Sequence, residues 1–75
     1  MKLEDIFATV LNVPSSDLSD ATSPKELGSW TSRAHIQLIT TMEQIFSVTF
    51  SAAEIKSLKS LGDARGFLSA KGVQA

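Results

Sequence analysis

Ser32 and His35 lie three residues apart, and Glu43 follows within the same stretch. A hydroxyl, an imidazole and a carboxylate are the parts of a nucleophilic triad, in which the base activates the nucleophile and the acid orients the base. The pattern is uninformative here, because Ser and Thr together number seventeen. The strained Gly-x-Ser-x-Gly elbow that exposes such a nucleophile is absent, and a small helical chain offers no cradle for an oxyanion. The chain has no cysteine and one histidine. Disulfides, cysteine-ligated metal sites and multi-histidine metal sites are therefore excluded.

Ser32 is distinguished instead by its position. It begins a helical pattern directly after a long connection, with Thr31 placed as the N-cap. Unpaired backbone N–H groups and the positive end of the helix dipole converge there, and a phosphate ester on the Ser32 hydroxyl would be favoured by ~0.3–1 kcal/mol. Arg33 adds a formal positive charge beside it. Trp30 reads as an anchor for the connection, with one wall of a ligand contact as its alternative. His35 reads as a structural or surface histidine that packs on the loop or pairs polar groups near the helix start.

The elements that must position these residues follow from apolar spacing. Leu3, Ile6, Phe7, Val10 and Leu11 form one stripe and predict a helix over about residues 2–12, with Glu4 and Asp5 in its first turn and Asn12 and Pro14 ending it. Residues 13–31 are a long connection, pinned by Val13, Leu18, Leu27 and Trp30. Ser23-Pro24-Lys25-Glu26 has a capping-box pattern, so one short turn is expected there, and Gly28 is expected to permit a sharp change of direction. A second helix should span about residues 32–46, with Ile36, Ile39 and Met42 inward and Leu38, Ile45 and Phe46 widening the stripe. Arg33, Gln37, Thr40, Thr41 and Gln44 are left facing water.

Val48 and Phe50 alternate over too few residues for a strand and read as an extended link. Ser51-Ala52-Ala53-Glu54 is a capping box, with Phe50 and Ile55 at the staple positions, and it opens a short third helix facing inward through Ile55 and Leu58. Ser60 and Asp63 start a last helix carrying Leu61, Ala64, Phe67 and Leu68, which stops near Lys71-Gly72. Gly62 and Gly66 within it cost ~1 kcal/mol each relative to Ala. The expectation is all-α: a four-helix bundle with a long first loop and a short third helix, one domain over residues 1–75.

Composition narrows the partners. The 75 residues carry a net charge of −1. Residues 1–31 hold Lys2 and Lys25 against five acids, and residues 32–75 hold five basic residues against Glu43, Glu54 and Asp63. Neither half has the dense basic footprint of a nucleic-acid binder; Lys56, Lys59 and Arg65 are too few, so no nucleic acid is expected. The stretch MKLEDIFATVLNV is not a signal peptide, and no apolar run approaches the ~20 residues of a membrane span. A cytoplasmic monomer that engages no membrane is expected.

The stretch Leu27-Gly28-Ser29-Trp30-Thr31-Ser32-Arg33-Ala34-His35-Ile36-Gln37-Leu38-Ile39 resembles the acyl carrier protein family of phosphopantetheine-binding domains. Met42-Glu43-Gln44-Ile45-Phe46, Val48-Thr49-Phe50 and the later Glu54-Ile55 and Ser60-Leu61 segments extend the likeness over nearly the whole chain. It is nearest to standalone carriers with Trp shortly before the modified Ser and His-Ile just after. Two positions depart: Thr31 stands where the Asp-Ser-Leu motif has its acid, and Arg33 where it has its leucine. One extra residue separates Gly28 from Ser32.

The resemblance implies a non-catalytic carrier. A dedicated phosphopantetheinyl transferase would attach 4′-phosphopantetheine to Ser32, and the arm's thiol would hold an acyl or aminoacyl thioester. A loading ligase and downstream biosynthetic enzymes would read the second helix, through Arg33, Gln37, Thr40, Thr41 and Gln44. Trp30, Thr31 and His35 would be possible contacts of the arm. Glu43 is the only acid on the second helix, so electrostatic steering should be weak. A specialised pathway fits this better than bulk fatty-acid synthesis. The alternative is a carrier-like helical adaptor without a prosthetic group.

Overall fold

The computed structural model describes residues 2–74. Four α-helices follow in order: α1 (Leu3–Leu11), α2 (Ser32–Phe46), α3 (Ala52–Ser57) and α4 (Leu61–Ala70). No strand occurs among the described residues, so the all-helical expectation holds, with the short third helix and the long first loop in place.

Leu3, Ile6, Phe7 and Leu11 of α1 are fully buried against Ala34, Leu38, Ile39 and Met42 of α2 and Leu61, Ala64 and Leu68 of α4, in one core cluster. At ~1.5–3 kcal/mol per large side chain, this burial is the main drive to fold. α1 closes on Asn12 in the left-handed conformation (φ 59°), and α2 closes the same way on Ser47 (φ 55°). Asn tolerates that geometry readily; nothing in the sequence marks Ser47 for it.

Two inward assignments on α2 are corrected. Ile36 is 56% and Ile45 40% exposed. The six-residue apolar stripe is wider than the surface the other helices offer, and Ala34, Leu38, Ile39 and Met42 fill that surface. Ile36 sits one turn beyond Ser32, on the outward side with Arg33 and Thr40. Thr41, expected in water, is half-buried. Leu58 is buried as expected but lies just past the end of α3.

The first loop is more ordered than its sequence suggested. A 3₁₀ turn spans Ser15–Asp17. At the expected turn, the N–H groups of Glu26 and Leu27 both donate to the Ser23 carbonyl. Val13, Leu18 and Leu27 pack on the core as expected, and Trp30 is buried. Thr22, not foreseen as an anchor, is buried and accepts the Ser19 N–H at 2.9 Å. Gly28 turns the chain without a positive φ, so its expected conformational role is not used. The loop also caps α4: Leu61 N–H donates to the Thr22 carbonyl at 3.1 Å and Gly62 N–H to the Asp20 carbonyl at 2.9 Å. Two N–H groups that α4 cannot satisfy itself are thus paired by the loop.

The cap signals of the later helices are realised. Ser51 and Glu54 form a reciprocal capping box, and Phe50 and Ile55 both pack on the core. Ser60 accepts the Asp63 N–H. Ion pairs tie the periphery. Arg65 bridges Glu4 of α1 and Asp20 of the loop, and Lys71 meets Glu54 at 2.9 Å and lies over the Phe50 ring. Hydrogen bonding from the local backbone, then from Arg65, holds the Glu4 carboxyl below its ordinary range. Glu54 is lowered by the Ser51 backbone N–H, then by Lys71.

Candidate functional site

Ser32 is the first residue of α2 and is exposed. Thr31 precedes it in extended conformation (ψ 176°), and its side chain accepts the Ala34 N–H at 3.2 Å. The His35 N–H is taken by the Thr31 carbonyl at 2.9 Å. Thr31 is therefore the N-cap the sequence indicated. It performs the capping an aspartate would perform, without the charge.

Trp30 is held from two sides. Its ring meets Phe7 of α1 edge-on at 5.3 Å, and it donates its indole N–H to His35 Nδ1 at 3.1 Å, the two rings lying edge to edge with centroids 6.0 Å apart. An indole N–H only donates, so Nδ1 accepts and the proton resides on Nε2. Nε2–H then donates to the Ile55 carbonyl of α3 at 2.8 Å. Both imidazole nitrogens are spent joining the loop, α2 and α3. They are not available to activate Ser32, and Glu43 is engaged by the Phe50 N–H at 2.9 Å. The triad pattern in the sequence is not a triad in space.

Beside Ser32 lies a cleft of about 310 Å³ lined by Pro24, Trp30, Thr31, Ser32, His35 and Ile36. Further along the same face, a groove of about 420 Å³ runs between α1 and α2, lined by Thr9, Val10, Ile36, Gln37, Thr40 and Thr41. Ile36 forms the ridge between the two. The first loop therefore brings Trp30 and Pro24 to the start of α2, and the helix repeat places Ile36 on the far side of Ser32.

The sequence-selected residues thus divide. Trp30, Thr31, Ser32 and His35 converge on one cleft. Arg33, Gln37, Thr40 and Gln44 lie exposed along α2. Ile36 and Pro24 were missed as site residues. Counting four residues on from Ser32, and not back from the core, would have found Ile36 on the Ser32 face.

Among the described residues no group of three His, Cys, Asp or Glu side chains is placed to hold a metal ion, and no helix is long and apolar enough to cross a membrane. No curated protein matches the chain. A family model described as phosphopantetheine attachment site matches residues 2–68. Domains of this kind carry 4′-phosphopantetheine covalently on a serine. With an exposed serine opening α2 beside an apolar cleft, and a match over most of its length, the chain belongs to the phosphopantetheine-binding carrier family.

Proposed function

We propose that this protein is an acyl or aminoacyl carrier and that Ser32 is its attachment residue. The observation that carries the reading is the exposed hydroxyl at the first residue of α2, within the family match and next to the cleft. Several features fit a phosphate ester there. The dipole of a fifteen-residue helix points its positive end at the site, and Arg33 adds a cation. Among the described residues no protein group holds the Ser32 hydroxyl.

When bound, the prosthetic group supplies a terminal thiol, which this cysteine-free chain lacks, for holding cargo as a thioester. The chain's own residues do the rest. Thr31 fixes the start of α2, so the hydroxyl is presented at a defined point. Trp30 and His35 lock the loop behind it. Tethering keeps cargo near a docked enzyme at roughly millimolar effective concentration, so weak docking suffices.

The transferase, a loading ligase and later enzymes of a specialised biosynthetic pathway would dock along α2, on Arg33, Gln37, Thr40, Thr41 and Gln44. Ile36 joins them as the apolar contact, replacing what the family's leucine at position 33 would offer. The α2 surface has no exposed acid free of the fold, since Glu43 is held by Phe50. Docking therefore rests on shape and apolar contact more than on charge.

Incubation of wild type, Ser32→Ala and Ser29→Ala with a broad-range phosphopantetheinyl transferase tests the assignment. Wild type and Ser29→Ala gain one prosthetic group by intact mass, and Ser32→Ala gains none. An adaptor without a prosthetic group would stay unmodified, and its partner binding would survive Ser32→Ala.

A further inference from the structure

The cleft beside Ser32 has a composition that the carrier reading leaves unused. Apart from the Ser32 hydroxyl, its polar side chains are already committed. The Trp30 N–H donates to His35, both His35 nitrogens are paired, and Thr31 Oγ1 accepts from Ala34. What remains on the walls beside that hydroxyl is mostly carbon: the Pro24 ring, the Trp30 indole and the side chain of Ile36. Such walls recognise an apolar group and offer little to a polar one. The volume of about 310 Å³ is ample for a compact branched hydrocarbon, since an apolar cavity of about 150 Å³ holds benzene.

Position selects which apolar group. Ser32 is itself part of the lining. In 4′-phosphopantetheine a quaternary carbon bearing two methyl groups lies only a few bonds beyond the phosphate, whereas the thiol and its cargo lie at the opposite end of the arm. A group tethered at Ser32 brings the dimethyl carbon to the cleft without folding back. Cargo can reach it only if the arm reverses.

We propose that the Pro24–Trp30–Ile36 cleft is a cradle for the branched dimethyl segment of the prosthetic arm, so that the proximal half of the arm rests on the protein and only the distal half swings. The inference rests on Ser32 being the attachment residue. It gives Trp30 a function besides anchoring the loop and gives Pro24 a reason to stand in the turn before it. The resting arm leaves along α2, over Ile36, toward the face that partners read.

The test uses full-length protein converted by a broad-range transferase, with conversion verified by mass. Isotope-filtered NMR then looks for contacts between the arm's methyl groups and the ring protons of Trp30, the only tryptophan in the chain. The cradle predicts these contacts in the free-thiol form, unchanged when the thiol carries a butyryl group. It also predicts their loss in modified Ile36→Ser, whose thermal melt stays near wild type because Ile36 is exposed. A modified chain showing no contact between the methyls and Trp30 overturns the proposal. So does a Trp30 response that appears only on butyrylation, which would assign the cleft to cargo. If no transferase modifies the chain, the mass reports it, and Ser32 as attachment residue fails first and the cradle with it.

Discussion

Trp30 and His35 lie edge to edge, their rings 24° from parallel, and share a hydrogen bond of 3.1 Å between the indole N–H and Nδ1. The pair fixes the imidazole tautomer and so aims Nε2–H at the Ile55 carbonyl. The end of the loop, the start of α2 and the more distant α3 meet at one imidazole ring. The residue most suggestive of catalysis in the sequence is thus a structural joint, and the serine three positions earlier is exposed and takes no part in it.

This joint has a measurable coupling. At about 0.5–1.5 kcal/mol net per hydrogen bond, His35→Ala should lower stability by about 1–3 kcal/mol in urea denaturation. A double-mutant cycle with Trp30→Phe should return a coupling of about 0.5–1.5 kcal/mol. Strict additivity would mean that the two side chains do not act together.

The glycines of α4 should respond in opposite directions. A Cβ at Gly62 would lie 2.9 Å from the Asp20 carbonyl oxygen, and that oxygen is backbone already bonded to the Gly62 N–H. Gly62→Ala should therefore destabilise by about 1–3 kcal/mol through overpacking. Gly66 has open space around the same position, so Gly66→Ala should stabilise by up to about 1 kcal/mol. Thermal melts of the two variants decide it; equal shifts of the same sign would contradict the loop–helix contact.

Acid should loosen the periphery in a defined window. Glu4 and Glu54 are both held below the ordinary glutamate value of 4.5 in the folded chain. Between the folded and unfolded values the unfolded chain binds more protons, so stability rises with pH there. The contribution is present in full above the unfolded value and is lost as pH falls through the folded values. Glu54→Gln should reduce the slope of stability against pH below about 4.5, as read by urea midpoints at a series of pH values. An unchanged slope would show that the Ser51 and Lys71 contacts of Glu54 are not made in solution.

The two motif departures should slow the transferase. Thr31 keeps the capping geometry and loses only the acid's charge, while Arg33 puts an exposed cation where the family has a leucine. Thr31→Asp with Arg33→Leu should raise kcat/KM for modification by a standard transferase several-fold. For the wild type, the same constant should change little between low and moderate salt, because α2 offers no acidic stripe for steering. A steep fall with salt would contradict the shape-based docking surface.

Much of the fold was legible because local signals and periodicity agree. The capping box at Ser51 and Glu54, the cap at Ser60 and the stripe of α1 each specify their element from neighbours alone. What was not legible depends on distant partners. The burial of Thr22 and the close approach at Gly62 arise because loop carbonyls cap α4, and no short-range pattern encodes that. Ile36 was assigned inward because hydrophobicity alone cannot distinguish a core face from an exposed apolar ridge. The start of α2 was readable at Thr31, and the cleft was not, since Pro24 reaches it only through the folding of the loop.

Whether Ser32 carries the prosthetic group in the living cell decides the proposed function. Peptide mapping by mass spectrometry of the protein isolated from its own host tests this directly. One phosphopantetheinyl adduct, free or acylated, is expected on the peptide containing Ser32. Protein in which that peptide is uniformly unmodified, or in which the adduct lies on another serine, would contradict it.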